Sequence, residues 1–341
     1  MDGILLLAFQ VGAFTTEQLS RIAEAAPGMR VVNTRDRAEI EAALNEIEIA
    51  VGAFPHDLIA SAPNLRWFQQ WGAGADWLPQ YPEVQESDLI LTNASGIHAI
   101  PISEHIFAFL LMFARRFTDS MRAQDDRVWI ENPWLRAHGT TIRPDERFSI
   151  EIGKSDLFEL AGKTLLIAGV GAIGARVAKL AKAFDMHVVG MRRQRIGEMV
   201  NVDRPITPSQ LLENLPGADF VVNTLPMTVE TRHLFDGQAF VAMKPSSYYI
   251  NIGRGGTTDE VALIAALQNG EIAGAGLDVF EREPLPVDSP LWAMRNVIIS
   301  SHFSGLTPEY DNRALAIFLD NLDRYQHGKR LHNVVDKRLG Y

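Results

Sequence analysis

The sequence predicts an α/β protein made of two doubly wound parallel sheets, each covered by helices on both faces. Three observations carry this. Short apolar, β-branched runs alternate with helix-like segments along nearly the whole chain, as expected of βαβ crossovers. The 341 residues suggest two domains at about 150 residues each. The composition, 47% hydrophobic and 22% charged, belongs to chains that close a core and rules out a fibrous or disordered protein.

Taken in order, residues 4–9, 30–33, 48–52, 66–69 and 89–93 read as strands, with helices over 16–26 and 37–45 between them. Ser103 reads as the N-cap of a longer helix running from Glu104 toward Ala123. Residues 129–155 show little periodicity and carry much charge, Pro and Gly, which suggests a surface arm. A second series follows at 164–169, 187–191, 219–224, 248–252, 274–279 and 297–300. Six strands with intervening helices match a complete dinucleotide-type sheet. A last helix spans 308–326, with Leu315, Phe318, Leu319 and Leu322 on one stripe.

Charge and residue usage exclude several classes of function. With 32 basic against 42 acidic residues the net charge is −10, so no basic excess exists to meet nucleic-acid phosphates or an anionic membrane. The absence of cysteine removes disulfides, thiolate metal sites and a Cys nucleophile. Met1-Asp2-Gly3-Ile4 lacks a basic leader, and the longest apolar run, 106–114, is far short of the ~20 residues of a membrane span. A cytoplasmic protein is expected.

The first chemical motif is Gly169-Val170-Gly171-Ala172-Ile173-Gly174, placed between an apolar strand and a helical pattern. The first glycine permits a tight turn, the second lets a pyrophosphate approach the backbone, and the third lets helix pack on strand. The helix start then offers unpaired N–H groups to phosphate. After the next strand stand Arg192 and Arg193, where an NAD-binding fold usually carries a carboxylate for the ribose 2′-hydroxyl. Two guanidiniums suit a 2′-phosphate, so NADP(H) is favoured, with NAD(H) the alternative.

Three further residues stand at or just beyond strand ends. Arg254 lies among Gly253, Gly255 and Gly256, Glu283 precedes Pro284, and His302 follows the last strand. Hydride transfer to a 2-oxo acid needs a cation to hold the carboxylate and polarise the carbonyl, and an acid to protonate the oxygen. Arg254 and His302 fit those roles, and Glu283 beside His302 would keep it a proton donor.

These residues resemble the D-isomer-specific 2-hydroxyacid dehydrogenase family. The matching stretches are the glycine turn, Leu225-Pro226 with Thr231, residues 251–256, residues 276–279, Glu283-Pro284-Leu285 and residues 301–305. Gly72-Ala73-Gly74-Ala75-Asp76, residues 92–104 and Asn333-Val334-Val335-Asp336 are similar too. The resemblance implies Rossmann- and flavodoxin-like sheets, with the active site in the cleft between the domains. It implies a substrate domain of residues 1–101 and 304–341 and a dinucleotide domain of 102–303, hinged near Pro101 and His302. By the same match Ala73, Gly74 and Ala75 would receive the substrate carboxylate with Arg254 and His302. Asp278 would hold the nicotinamide carboxamide, helped by Ile252, and Leu225, Pro226, Thr231 and Gly305 would line the cofactor. Homodimers joined through the dinucleotide domains are implied as well.

The chain departs from the family pattern at Arg192, which puts NAD in doubt, and in the long 137–155 segment. Its end at Tyr341 leaves no room for an appended regulatory domain, and Glu283 rather than Gln fits 2-oxo acid reduction better than formate oxidation. The expected function is therefore an NADP(H)-preferring D-2-hydroxyacid dehydrogenase acting as a 2-oxo acid reductase. A glyoxylate or hydroxypyruvate reductase is the enzyme alternative, its pocket set by Phe54, Trp71, Trp134 or Phe303. A dinucleotide-sensing, corepressor-like binding protein is the other.

Overall fold

The computed structural model describes residues 3–133, 137, 148–193 and 198–340. The chain divides into two units, Met1–His98 with Thr307–Tyr341, and Ala99–Leu306.

The first unit is built on β1 (Ile4–Ala8), β2 (Arg30–Asn33), β3 (Ile47–Gly52), β4 (Trp67–Gln69) and β5 (Ile90–Thr92). They form a wholly parallel sheet in the order β2-β1-β3-β4-β5, the flavodoxin-like order. All five residues of β1 are fully buried because both faces are covered. Ile4, Leu6 and Ala8 pack on one side with Phe68 and Leu91, and Leu5 and Leu7 on the other with Ile22, Trp67 and Phe318. Burial of each large aliphatic side chain contributes about 1.5–3 kcal/mol. Among its helices, α1 (Thr16–Glu24) starts at a capping box of Thr15 and Gln18, and α2 (Arg37–Ala43) is capped by Asp36. The short α3 (Pro82–Glu86) precedes β5.

The second unit begins with α4 (Ala99–Ala114) and α5 (Phe117–Asp126). The single long helix expected after Ser103 is thus corrected on two counts. Ser103 is buried inside α4, its hydroxyl donating to the Ile100 carbonyl at 2.8 Å, and Pro101 occupies the first turn, where a missing N–H is tolerated. Arg116, left-handed at φ 54°, breaks α4 from α5 and pairs with Asp119 at 2.6 Å. The arm expected over 129–155 contains a parallel pair, β6 (Trp129–Glu131) with β7 (Phe148–Glu151). Much of that segment, Trp134 included, lies outside the described residues.

The second sheet has seven parallel strands rather than six: β8 (Thr164–Ala168), β9 (His187–Met191), β10 (Arg204–Ile206), β11 (Phe220–Asn223), β12 (Tyr248–Asn251), β13 (Gly274–Leu277) and β14 (Val297–Ile299). The additional β10 is three residues long with Pro205 at its centre, a composition that only an edge strand accepts. The order β10-β9-β8-β11-β12-β13-β14 reverses between β8 and β11, the crevice where such sheets bind ligands. Helices α6 (Ala172–Ala183), α7 (Leu211–Asn214), α8 (Gly237–Ala242) and α9 (Glu260–Asn269) cover it. Leu165 and Ile167 join one apolar cluster, and Leu166 and Ala168 the other, on the opposite face. The final helix α10 (Tyr310–Gln326) returns to the first unit.

Candidate active site

Parallel register brings five strand ends to one line: Ala168 is opposite Asn223, Asn223 opposite Asn251, Asn251 opposite Leu277, and Leu277 opposite Ile299. The glycine turn, Leu225, Arg254, Asp278, Glu283 and His302 all follow these residues, so they leave the same edge of the sheet.

At the first strand end, each glycine has a visible cause. Gly169 is left-handed (φ 104°), and a Cβ there would meet the Thr224 hydroxyl at 2.8 Å. At Gly174 a Cβ would fall 2.3 Å from the Gly169 carbonyl, so only glycine lets α6 approach β8. Gly171 is the N-cap of α6, and a Cβ there would meet nothing within 4 Å. No side chain caps this helix start, which leaves Ala172, Ile173 and Gly174 able to present N–H groups to an anion. These features fit a bound pyrophosphate.

Leu225 and Pro226 form the opposite wall of that crevice. The Leu225 N–H is held by Asn223 Oδ1 at 3.1 Å, and Thr231 donates to the Pro226 carbonyl at 2.7 Å, closing the loop. Ile252 is buried, its N–H donating to the Asn223 carbonyl at 3.2 Å. Arg192 and Arg193 are both exposed beyond β9, the Arg192 N–H donating to Ile206 at 3.1 Å, while 194–197 lie outside the described residues. Glu230 stands near Arg193. Its carboxyl is held below the usual carboxylate range by its own backbone N–H and the Thr228 hydroxyl, with Arg193 a smaller cause.

Arg254 is fixed from beneath. Its carbonyl accepts from the Thr257 hydroxyl at 2.6 Å and from Asn251 Nδ2 at 3.3 Å, and its Nη1 donates to the Gly253 carbonyl at 2.9 Å. Asn223 donates to Thr257 at 2.7 Å and to the Tyr249 hydroxyl at 3.0 Å, and Tyr249 and Thr258 share a bond of 2.6 Å. Burial pushes the Tyr249 hydroxyl well above its ordinary pKa, so it stays neutral. Sequence reasoning passed over this network. Its one signal was the matching end of two strands, Val222-Asn223 and Ile250-Asn251, each an apolar run closed by asparagine.

His302 Nδ1 lies 2.7 Å from Glu283 Oε2, and Glu283 Oε1 accepts the Phe280 N–H at 3.0 Å. Among the described residues no hydrogen bond takes His302 Nε2, and the side chain is half exposed. Asp278 is fully buried. Its carboxylate accepts from Ser300 Oγ at 2.6 Å and from the N–H groups of Phe303 and Ser304, each at 3.1 Å. Gly305 belongs to the same turn, before Leu306 donates back to Phe303 at 2.9 Å.

In the first unit, the turn at Ala73, Gly74 and Ala75 has its carbonyls tied down. Asn93 Nδ2 donates to Ala73 at 2.8 Å, the Gln70 amide to Gly74, and the Leu78 N–H to Ala75 at 3.1 Å. No described hydrogen bond takes the N–H groups of these three residues, the polarity a carboxylate requires. Of the residues expected to set a pocket, Phe54 is core, buried among Ile59 and Phe68, and so cannot line one. Trp71 packs on Phe9 and Phe14 and donates to Asp311 at 2.9 Å. Phe303 is exposed.

A family model described as "D-isomer specific 2-hydroxyacid dehydrogenase, NAD binding domain" matches residues 107–304, more than half of the chain. A glyoxylate/hydroxypyruvate reductase B of Salmonella agona is 38% identical over 82% of this chain and 80% of its own length. A D-isomer specific 2-hydroxyacid dehydrogenase family protein of Aeromonas salmonicida superposes with a TM-score of 0.79 at 33% identity, covering 99% of this chain and 100% of its own. A D-isomer specific 2-hydroxyacid dehydrogenase of Xanthobacter autotrophicus, solved with NADPH and MES, gives 0.79 at 28% identity and full coverage of both chains.

Proposed function

The chain belongs to the D-isomer specific 2-hydroxyacid dehydrogenase family, and from that premise we propose that it is an NADP(H)-preferring reductase of small 2-oxo acids. The observation that carries this is the bond between His302 Nδ1 and Glu283 at 2.7 Å, which leaves Nε2 without a hydrogen bond among the described residues, on a half-exposed side chain at the sheet edge that also holds Arg254 and the glycine turn.

NADPH, when bound, supplies the hydride that reaches carbon 2 of the acid. Arg254 pairs with the substrate carboxylate and draws charge toward the carbonyl oxygen. His302 gives its Nε2 proton to that oxygen, and Glu283 fixes the ring and stabilises its charged form. Gly171 to Gly174 hold the pyrophosphate, Leu225, Pro226, Thr231 and Ile252 border the nucleotide, and Arg192 with Arg193 favours the 2′-phosphate; NAD(H) is the weaker alternative. The Ala73, Gly74 and Ala75 turn is the first unit's carboxylate-receiving element.

Within this reading glyoxylate and hydroxypyruvate are the favoured acids, supported by the name of the Salmonella relative. We read the assembly as a homodimer, supported by three exposed apolar side chains on α5 and β6, namely Phe117 (53%), Met121 (57%) and Trp129 (71%). Among the described residues no helix is long and apolar enough to cross a membrane, and a cytoplasmic location accords with that.

Initial rates with NADPH and NADH, over acids from glyoxylate to phenylpyruvate, test the assignment. Faster NADPH-dependent reduction of the smallest acids is expected, with His302→Ala lowering kcat by about 10²–10⁴-fold. Near-normal turnover in His302→Ala would remove the acid assignment. Cofactor binding without turnover on any 2-oxo acid would instead favour a dinucleotide-sensing binding protein.

A further inference from the structure

His302 is a non-glycine residue held in the left-handed region, at φ 54°. Such a conformation persists only where the surroundings over-determine it. Here three successive N–H groups converge on one residue: His302 donates to the Asp278 carbonyl at 2.9 Å, and Phe303 and Ser304 donate to its two carboxylate oxygens at 3.1 Å each. The turn that carries His302 is a nest closed around Asp278.

The Asp278 carboxylate is in turn fixed from the far side. Ser300 Oγ donates to Oδ1 at 2.6 Å and lies 2.9 Å from His105 Nε2. A serine hydroxyl has one proton, and Asp278 receives it, so His105 must donate from Nε2. The His105 ring is set edge-on to Phe109 at 4.6 Å and Phe303 at 5.6 Å. Burial outweighs the attraction of Asp278 and holds the His105 pKa below its ordinary value, which suits a neutral ring donating one N–H. Asp278 therefore meets a row of neutral donors.

We propose that His105 and Ser300 are positioning residues: through Asp278 they lock the turn that aims His302 at the substrate. The inference rests on reading His302 as the acid. It adds a helix, α4, to the reactive machinery, and it gives the Asp278 carboxylate a task within the chain itself, apart from any contact with nicotinamide. All four residues belong to the second unit, His105 on the helix that opens it and His302 close to its end.

Three variants test it. His105→Phe keeps the ring contacts and removes the donor, His105→Gln restores an N–H near the Nε2 position, and Ser300→Ala cuts the relay at its centre. Both cuts are expected to lower kcat by about tenfold to a hundredfold while NADPH affinity, read by fluorescence titration, changes less than about threefold. His105→Gln is expected to stay within about threefold of the parent in kcat. Should Ser300→Ala not fold in a thermal melt, the His105 pair decides. Independently of turnover, histidine-ring ¹H–¹⁵N spectra read the His302 Nδ1 bond to Glu283, expected intact in the parent and His105→Gln and weakened in both cuts. That signal unchanged in both cuts, or a kcat within twofold of the parent in them while His302→Ala is inactive, overturns the relay. Full activity in His302→Ala instead overturns the acid assignment, and the ring spectra then still judge the relay.

Discussion

Two glycine-rich turns leave the same edge of the second sheet, and Gly171 in one is needed for the opposite reason to Gly253 and Gly255 in the other. At Gly171 a Cβ would meet nothing within 4 Å: the glycine keeps the outward side of the turn clear. Around Arg254 the space is already taken by the chain. A Cβ at Gly255 would lie 1.8 Å from the Phe280 carbonyl oxygen, and one at Gly253 would lie 2.5 Å from that of Leu225. One turn stays open to a guest, while the other is pressed onto its neighbours so that a single guanidinium is held still. Gly169 and Gly174, in the same turn as Gly171, are of the second kind. Spacing alone does not separate the two kinds, since both read as glycine runs after a strand.

Substitutions can break or sharpen this contrast. The largest effect is expected at Gly255→Ala, where backbone must move: a loss of about 3 kcal/mol or more in urea unfolding. Unaltered stability there would show that the turn is not pressed on Phe280 at all. Next comes Gly171→Ala, expected to keep stability within about 1 kcal/mol but to raise KM for NADPH about tenfold, roughly 1.4 kcal/mol of binding. An unchanged KM would mean the cleared space serves no ligand. The smallest effect concerns acid. Burial holds the pKa of His56 and His105 below 6.5, so both bind protons more readily when unfolded. Their contribution to stability is full above about pH 6.5 and is lost as pH falls through their folded values. A melting temperature that declines from pH 7 to 5, less steeply in His105→Phe, would match. An identical slope in that variant would exonerate His105.

The sheets were legible because parallel strands buried on both faces appear as unbroken apolar runs: 164–168 and 220–223 could be read directly. What escaped has physical reasons. β10 is too short and proline-bearing to register as a strand, and β6 and β7, of three and four residues, are too short for an apolar period to stand out from the charged stretch around them. Ser103 looked like a cap because a small hydroxylated residue precedes Glu104, yet its hydroxyl folds back on Ile100 inside a continuing helix. At the site, Arg254, Glu283 and His302 stood out as polar groups beyond strand ends. Tyr249, Ser300 and His105 did not, because their partners are distant in sequence and the apolar runs around them gave each a blander reading.

The first sheet sets an order on synthesis. One of its faces is sealed by Phe318 and Leu322 of α10, and Asn321 of the same helix, fully buried, donates to Gln69 of β4 at 3.2 Å. Those residues leave the ribosome only after all of Ala99–Leu306. The second unit is contiguous and can close its core while translation continues, whereas the leading ninety-eight residues must wait with one sheet face covered only in part, by Phe14 and Ile22. A nascent chain stalled before α10 should thus expose a sticky sheet and attract chaperones that the released protein no longer needs.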